Sequence, residues 1–509
     1  EKKAREIAAQ VSEKAEMRKV MIFLQKYGIS LNLGAKIYQK YKESVYTILQ
    51  ENPYRLAEDI SGVGFKIADE IAARVGIHAD SDYRIRSGML YTLLQASGEG
   101  HTYLPREQLF TRCARLLGVD ESYMEKHLMD MVIDRKLVLK EKSGETIVYP
   151  AQYYYLELNT ARMLNELNIV CPEDKELVRH RIELIEKETG TVLDEMQKKA
   201  ITEAADHGLF ILTGGPGTGK TTTINAIIRF FEGEGAEIRL AAPTGRAAKR
   251  MTETTGYEAQ TIHRLLELNG MPEEERDGRS AKFERNAQNP LEADVIIIDE
   301  MSMVDIFLMH ALLRAVSPGT RLILVGDINQ LESVGAGAVL HDLLEAPESL
   351  IPRTMLTDVF RQKGDSSIIS NAIRINAGIT TLDERPDFQV IHTKSAEESL
   401  EQVKSLMKKL YNPEEPFSTQ ILCPARKGIS GVENMNIALQ ALLNPQTKGI
   451  TYGSIKYRLN DKVMFYKNNY SISSYEGEIG LYNGDIGKIV KVSESGLTVN
   501  VRNLSLIHI

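Results

Sequence analysis

The stretch LTGGPGTGKTT, Leu212–Thr222, combines four glycines with a lone lysine and a closing pair of threonines. An apolar run over Leu209–Thr213 precedes the loop, and a helical pattern begins near Thr222. Backbone N–H groups of such a loop can surround a β-phosphate, Lys220 can reach the β and γ oxygens, and the Thr221 hydroxyl can bind Mg²⁺. The sequence therefore predicts a site for a nucleoside triphosphate with Mg²⁺. The predicted loop comprises Gly214, Gly215, Pro216, Gly217, Thr218, Gly219, Lys220, Thr221 and Thr222.

Acidic residues follow a second apolar run, in ADVIIIDEMSMVD. Val295–Ile298 is suited to a strand that is buried on both faces. We expect Asp299 to hold Mg²⁺ and Glu300 to orient or deprotonate the attacking water. A third run, RLILV, leads to Gly326-Asp327 and then to Gln330, which is placed to contact the γ-phosphate. The three stretches together predict hydrolysis of the nucleotide.

Strands that alternate with helices indicate an α/β protein with parallel sheets. The chain has 509 residues, of which 43% are hydrophobic and 26% are charged, and this length predicts three or four domains. No apolar run approaches the ~20 residues of a membrane span. Cys113, Cys171 and Cys423 fall in no metal-ligand spacing, which favours a cytoplasmic protein with reduced thiols.

The net charge of −8 argues against a protein that coats nucleic acid by charge alone. Residues 1–50 reverse this sign, with 10 Lys and Arg against 5 Asp and Glu. A local basic track and a solvated helical face both fit this reversal.

The N-terminal residues predict short helices with glycine breaks. The segment DISGVGFKIADEIAARVGI resembles the helix-hairpin-helix DNA-binding motif, and YGISLNLGAKIYQKY is a degenerate copy. Gly62 and Gly64 permit a tight turn whose N–H groups could bind one phosphate without contacting a base. A helix pair that packs for structure alone is the alternative. Further along, LVLKEKSGETIVYPA predicts two strands around a Ser-Gly turn in a winged-helix-like module, which is either a spacer or a DNA clamp.

Six stretches occur in the order of motifs I, Ia, Ib, II, III and IV of superfamily 1 helicases. They are GGPGTGKTT, APTGRAAKRM, TIHRLL, IIIDEMSMVD, LVGDINQLESVGAG and VFRQ. The sequences of these motifs resemble those of the RecD-like group, in the stand-alone form with an N-terminal helix-hairpin-helix extension. The resemblance implies RecA-like motor lobes after an all-helical helix-hairpin-helix and winged-helix-like region, with a small SH3-like β-barrel near the C-terminus.

The resemblance also implies domain boundaries. We expect a helix-hairpin-helix region over 1–80, a winged-helix-like module over 81–170 and a first RecA-like lobe over 171–350. A 1B insertion at about 267–290 would carry the hairpin that splits the duplex. A second, partial lobe is expected over 351–509, with strands in FQVIH and TQILC and the SH3-like insertion at about 455–503.

Several residue roles follow from the resemblance alone. Gln197 would contact the adenine edge, which implies ATP, and Arg361 would reach the γ-phosphate as an arginine finger from the second lobe. A surface position for Gln197 and a carboxylate partner for Arg361 are the alternatives. The residues implied for the backbone of a single DNA strand are Pro243, Thr244, Arg246, Thr261 and His263.

The implied activity is that of an ATP-dependent helicase or translocase on single-stranded DNA and duplex junctions. Analogy with the group implies 5′→3′ movement, a role in DNA repair or recombination, and a monomer. Motifs V and VI do not follow in the sequence, so we expect a truncated chain with impaired unwinding. A fragment that binds nucleotide and DNA without productive unwinding, and an RNA-acting ATPase, remain open alternatives.

Overall fold

The computed structural model describes most of the chain in two units. The described residues are 16–60, 62–268, 283–357, 366–446, 448–453, 455–466, 469–473, 479–481, 483–493, 496–501 and 506–508. The first unit comprises Glu1–Glu166, Ser302–Arg314 and Leu331–Glu345. The second comprises Leu167–Met301, Ala315–Gln330 and Ala346–Ile509. Arg361 with the rest of VFRQ, and residues 269–282 of the predicted 1B insertion, lie outside the described residues.

The helices and strands are numbered in chain order. The helices are α1 over residues 16–26, α2 Leu31–Tyr41, α3 Val45–Glu51, α4 Arg55–Asp59, α5 Phe65–Val75, α6 Asp82–Gly98, α7 Arg106–Leu117, α8 Ser122–Ile133, α9 Ala151–Leu167, α10 Lys175–Thr189, α11 Glu195–Asp206, α12 Lys220–Glu232, α13 Gly245–Thr255, α14 Ile262–Leu265, α15 Ile306–Ala315, α16 Val339–Glu345, α17 Ser367–Asn376, α18 Ala396–Leu410 and α19 Val432–Leu443. The strands are β1 Leu104–Pro105, β2 Leu137–Lys142, β3 Glu145–Pro150, β4 Leu209–Gly214, β5 Ile238–Ala242, β6 Ala259–Thr261, β7 Val295–Ile298, β8 Arg321–Gly326, β9 Arg353–Leu356, β10 Gly449–Tyr452, β11 Ile455–Arg458, β12 Lys462–Met464, β13 Asn469–Ser473, β14 Ile479–Leu481, β15 Ile486–Ser493, β16 Gly496–Val501 and β17 Leu506–His508.

A hydrophobic core runs through residues 20–148 of the first unit. Buried side chains from Val20 to Val148 belong to a single cluster, so the segment that carries the glycine hairpins shares its core with the module that follows. The predicted Ser-Gly turn is confirmed, because β2 and β3 pair antiparallel around Ser143 and Gly144. Both turn residues have positive φ, 54° and 83°, as a type I′ hairpin requires.

A six-stranded parallel sheet organises the second unit. Its strand order is β6-β5-β7-β8-β4-β9. Every residue of β4 and β7 is buried, as their continuous apolar sequences predict for strands covered on both faces. Because the strands are parallel, the loops that follow β4, β5, β7 and β8 all leave the same edge of the sheet.

The expected strands of the second lobe are absent from residues 366–446. This part of the chain contains α17, α18 and α19, while FQVIH and TQILC form no strand, which corrects that prediction. A strand needs a neighbour for its backbone N–H and C=O groups, and no described residue pairs along either segment as a ladder. Their apolar side chains remain exposed, with 50% of Ile391 and 88% of Leu422 accessible.

Short antiparallel strands form the last part of the second unit. β12, β15, β16 and β17 make one sheet, and β10-β11 and β13-β14 make two hairpins. Leu481, Ile489, Val499 and Val501 form their small core. The predicted SH3-like all-β module is confirmed. None of the described helices has the length and apolar character to cross a membrane.

The central strand provides a test of the sheet's packing. Ile297 in β7 is fully buried, so Ile297→Ala should destabilise the second unit by about 2–5 kcal/mol, measured as a lower midpoint in urea unfolding. Leu422→Ala is the control, because an 88% exposed side chain should change stability by less than about 0.5 kcal/mol. A core-sized loss at Leu422 would contradict the strandless arrangement of TQILC.

Candidate nucleotide site

The phosphate loop connects β4 to α12. Gly217 and Gly219 have φ of 81° and 88°, a region that glycine adopts without strain. At Gly214 a Cβ atom would lie 2.6 Å from Thr218 Oγ1 and 2.8 Å from the Leu356 carbonyl oxygen, so only glycine fits. Because Gly219 caps the helix, α12 begins at Lys220 rather than near Thr222. The helix N-terminus is thereby left for an anion, with a favourable dipole.

Thr218 and Lys220 make hydrogen bonds within the loop. The buried Thr218 hydroxyl donates to the Gly215 carbonyl oxygen at 2.9 Å. Lys220 Nζ donates to the carbonyl oxygens of Gly214 and Gly215, and it lies 4.0 Å from Asp327 Oδ2. These contacts hold the Lys220 side chain against the backbone of the loop. Thr221 is partly buried and Thr222 is exposed.

The acidic pair lies where β7 ends. The Asp299 N–H donates to the Ala241 carbonyl oxygen of β5 at 3.0 Å, and the Glu300 N–H donates to Asp299 Oδ1 at 2.8 Å. Glu300 has a φ of 56°, which is strained for a non-glycine residue. Strain of this kind persists only where the surrounding structure fixes it, which points to a functional constraint at Glu300.

Burial shifts the pKa of both charged groups. It raises the pKa of Asp299 to about 6, an effect that the Glu300 N–H opposes and the Glu300 carboxylate reinforces, while the charges of Lys220 and Arg250 lower it. Burial also lowers the pKa of Lys220, against the attraction of Asp327, Asp299 and Glu300. The partly buried carboxylate of Asp299 and the hydroxyl of Thr221 are hard oxygen donors, the type that Mg²⁺ prefers. These residues therefore fit the ion that the loop sequence implies.

Gln197 contributes to a helix cap. Its Oε1 accepts from the Asp194 N–H at 3.1 Å, and its own N–H donates to Asp194 Oδ1 at 2.8 Å, which is a capping box at the start of α11. The side chain is buried. With Oε1 engaged, the Nε2 protons are the donors that an adenine nitrogen would meet.

Two of the expected DNA contacts also cap helices. The Ala247 N–H donates to Thr244 Oγ1 at 3.2 Å at the start of α13. The Arg264 N–H donates to Thr261 Oγ1 at 3.2 Å at the start of α14. β5 and β6 pair so that Ala242 lies opposite Thr261, which brings both helix starts to one end of the sheet.

The neighbouring residues of this edge differ in exposure. Pro243 is partly buried and Arg246 is exposed. The ring centroids of His263 and Phe283 are 6.1 Å apart. A Cβ atom at Gly484, in a turn of the SH3-like module, would lie 3.7 Å from Arg246 Cδ. The module thus reaches the exposed edge where motif Ia lies.

The two glycine hairpins of the first unit differ at the following helix. Gly64 caps α5 without a side-chain hydrogen bond, Gly62 has a φ of 91°, and nothing lies within 4 Å of a Cβ atom built at either. In the first hairpin the Ser30 side chain caps α2, and Arg74 donates to the Tyr27 carbonyl oxygen at 2.6 Å. The second hairpin is therefore open to a ligand, whereas the first is capped and covered.

The structure brings some predicted site residues together and not others. The charge of Glu300 contributes to the pKa shifts of both Lys220 and Asp299. Gln330 is exposed, and its N–H donates to the Asp327 carbonyl oxygen at 3.1 Å. Asp327, for which the sequence predicted no role, is almost fully buried beside Lys220. An acidic residue at the end of an apolar run was the available signal for Asp327.

Three family models match the chain. They are an AAA domain over residues 197–336, the ATP-dependent RecD2 DNA helicase HHH domain over 13–103 and the ATP-dependent RecD-like DNA helicase SH3 domain over 435–502. The ATP-dependent RecD2 DNA helicase of Deinococcus radiodurans is 31% identical over 503 residues, with 96% of this chain and 66% of that protein covered. The RecBCD enzyme subunit RecD of Mycolicibacterium smegmatis is 34% identical over 334 residues, with 58% of this chain and 57% of the relative covered.

The chain thus spans just under two thirds of the Deinococcus protein's length and less of the Mycolicibacterium subunit. Among solved structures, Bacteroides Pif1 bound to ssDNA is 21% identical, with a TM-score of 0.38 and coverage of 62% of this chain and 74% of that one. Two of the three family models are specific to RecD-like helicases, and the Deinococcus relative is matched along nearly the whole chain. The resemblance drawn from the motifs is confirmed: the chain belongs to the RecD-like helicase family.

Proposed function

We propose that this chain is the ATP-hydrolysing part of a helicase or translocase that moves on single-stranded DNA. The observation that carries the proposal is the shared edge of the parallel sheet. Lys220 lies 4.0 Å from the buried Asp327, which follows β8. Asp299 follows β7, the strand next to β8. The helices of motifs Ia and Ib follow β5 and β6 at the same edge of the sheet. The proposed nucleotide-binding and strand-binding groups then occupy neighbouring loops of one sheet edge.

The proposed chemistry assigns one task to each residue. The loop Gly214–Gly219 would bind the phosphates, with the Nε2 group of Gln197 toward the adenine. Lys220 would neutralise the β and γ oxygens, Thr221 and Asp299 would hold Mg²⁺, and Glu300 would orient or deprotonate the attacking water. Mg²⁺, when bound, neutralises charge that develops on the phosphates. Gln330 would contact the γ-phosphate, and Arg361 is proposed as the arginine finger.

The proposed strand contacts are backbone contacts. Pro243, Thr244 and Arg246 lie at the start of α13, and Thr261 and His263 lie at the start of α14. Hydroxyl, guanidinium and N–H donors at helix starts suit phosphate oxygens and do not distinguish bases. We further propose 5′→3′ movement, action at duplex junctions in repair or recombination, a monomer, and a cytoplasmic location. The support is the RecD-like family, whose named members include a DNA helicase.

Two substitutions should separate binding from hydrolysis. Lys220→Ala should abolish ATP hydrolysis and weaken Mg-ATP binding, because it removes the positive charge proposed to neutralise the β and γ phosphate oxygens. The variant should remain folded. Glu300→Gln should retain Mg-ATP binding and lose hydrolysis. Steady-state ATPase rates and fluorescent-nucleotide titrations of the full-length protein, with and without oligothymidylate or oligouridylate, measure both effects. Unchanged hydrolysis in Lys220→Ala would refute the site, and stimulation by oligouridylate alone would favour the RNA-acting alternative.

Asp299 should make the stability of the metal-free protein depend on pH. Because burial raises its pKa from 3.8 to about 6, its contribution to stability is full below pH 4 and is lost as pH rises through 6. Asp299→Asn should therefore stabilise the metal-free protein at pH 7 by about 1–3 kcal/mol, with little difference near pH 4. Thermal unfolding in EDTA across this range measures it. The variant should also lose Mg-ATP binding, and a stability gain that persists at pH 4 would contradict the assigned cause.

The glycine hairpin can be tested without truncation. Deletion of residues 1–80 would remove part of a shared core, whereas Gly64 has ordinary backbone angles and open space around it. Gly64→Asp should cap α5 favourably and yet repel a DNA phosphate. We expect unchanged or higher stability, weaker binding of a tailed duplex and unchanged DNA-free ATPase. Gly64→Ser, the residue type found at Ser30, is the uncharged control, and equal DNA affinity in both variants and the parent would exclude this contact.

A further inference from the structure

α12 and α13 run side by side in the same direction. Both helices leave the same edge of the sheet, α12 after β4 and α13 after β5. In the strand order both connections move toward β6, so right-handed crossovers place the two helices on one face of the sheet. The Asn225 side chain of α12 donates a hydrogen bond to the Thr254 carbonyl oxygen of α13 at 3.1 Å. This bond sets the alignment of the two helices along their axes, with Asn225 opposite Thr254.

One helical turn back from this bond lie Thr221 on α12 and Arg250 on α13. Residues four apart share a helix face, and each pair is one turn closer to the N-terminus of its helix than Asn225 and Thr254. Long helical side chains lean toward the helix N-terminus. The side chain of Arg250 is therefore directed toward the phosphate loop, beside the threonine proposed to hold Mg²⁺.

The surroundings of Arg250 agree with this placement. Its side chain is exposed, and among the described residues it makes no hydrogen bond or ion pair. Burial is the main cause of the pKa shifts of Lys220 and Asp299, and the charge of Arg250 lowers the pKa of both. Because this guanidinium has no partner among the described residues, it is available to an anion at the loop.

We propose that Arg250 binds the γ-phosphate of ATP from the first lobe and makes the site prefer ATP to ADP. The inference rests on the proposed function and deepens it. The planar guanidinium presents several N–H donors that match phosphate oxygens, and ADP lacks the group it would contact. Thr244 caps the start of α13 and Arg246 lies in its first turn. The same helix would therefore hold the γ-phosphate and the DNA strand, so loss of the phosphate would alter the strand contacts directly.

The test compares two nucleotides in the full-length protein. Arg250→Gln should weaken binding of Mg-AMP-PNP about tenfold to a hundredfold, the range expected for a lost hydrogen bond to a charged group, while Mg-ADP affinity changes less than about threefold. Arg250→Lys should weaken Mg-AMP-PNP binding by an intermediate factor, because lysine keeps the positive charge but lacks the planar set of N–H donors of the guanidinium. Lys249→Gln is the matched control, because it removes one positive charge from the residue that precedes Arg250 in α13. It should leave the preference for Mg-AMP-PNP over Mg-ADP unchanged. Circular dichroism and thermal unfolding verify that each variant is folded.

The outcomes distinguish this inference from the proposed function. If the parent protein binds no Mg-ATP, or if Lys220→Ala binds it normally, the proposed function fails. If the parent binds and hydrolyses ATP but Arg250→Gln loses equal affinity for both nucleotides, or none, the γ-phosphate contact is refuted. Weaker oligothymidylate binding by Arg250→Gln in the absence of nucleotide, with no change in the ATP-to-ADP preference, would instead place Arg250 on the DNA and also refute it.

Discussion

Burial of opposite charges at the carboxyl edge of one parallel sheet is the constraint on which the site depends. Lys220 is only 19% exposed at its side chain and Asp327 only 2%, and transfer of either charge from water alone would be strongly unfavourable. At 4.0 Å they compensate one another only in part, because the lysine also donates to two loop carbonyl oxygens. Phosphate oxygens of a bound triphosphate would replace these two carbonyl oxygens as acceptors for Lys220 Nζ. The loop is therefore held in a binding conformation at the expense of stability.

The strand order explains why these groups meet. β7, β8 and β4 are consecutive in the sheet, so the acidic residues that follow β7 and β8 lie on one side of the loop after β4. On the other side of β7, the starts of α13 and α14 are fixed by threonine caps and by the pairing of β5 with β6. The hydrogen bond from Asp299 to β5 joins the two halves of the edge. A displacement of Asp299 or Glu300 during hydrolysis would move the backbone next to motif Ia.

Local patterns were sufficient to predict the elements whose cause is local. β7 has the predicted bounds because four consecutive apolar residues suit a strand covered on both faces. In the phosphate loop, Gly217 and Gly219 occupy positions of positive φ, which glycine adopts without strain. The importance of Asp327 and Arg250 depends instead on strand order and on helix pairing, which no single stretch encodes. FQVIH and TQILC show the reverse case: their sequences favour strands, but strand propensity alone forms none without a paired neighbour. The capping roles of Thr244 and Thr261 were predictable, since threonine before a helical run is a cap signal.

The two glycine hairpins differ in whether a side chain caps the helix that follows. At α2, Ser30 accepts the Leu33 N–H, so one of the free donors of the helix start is satisfied from within the chain. At α5 the corresponding residue is Gly64, which has no side chain, and the N–H groups need water or a ligand. Arg74 extends this difference, because it belongs to α5 and donates to the Tyr27 carbonyl oxygen just before Gly28. The helix that is open at its own start thus closes the other hairpin.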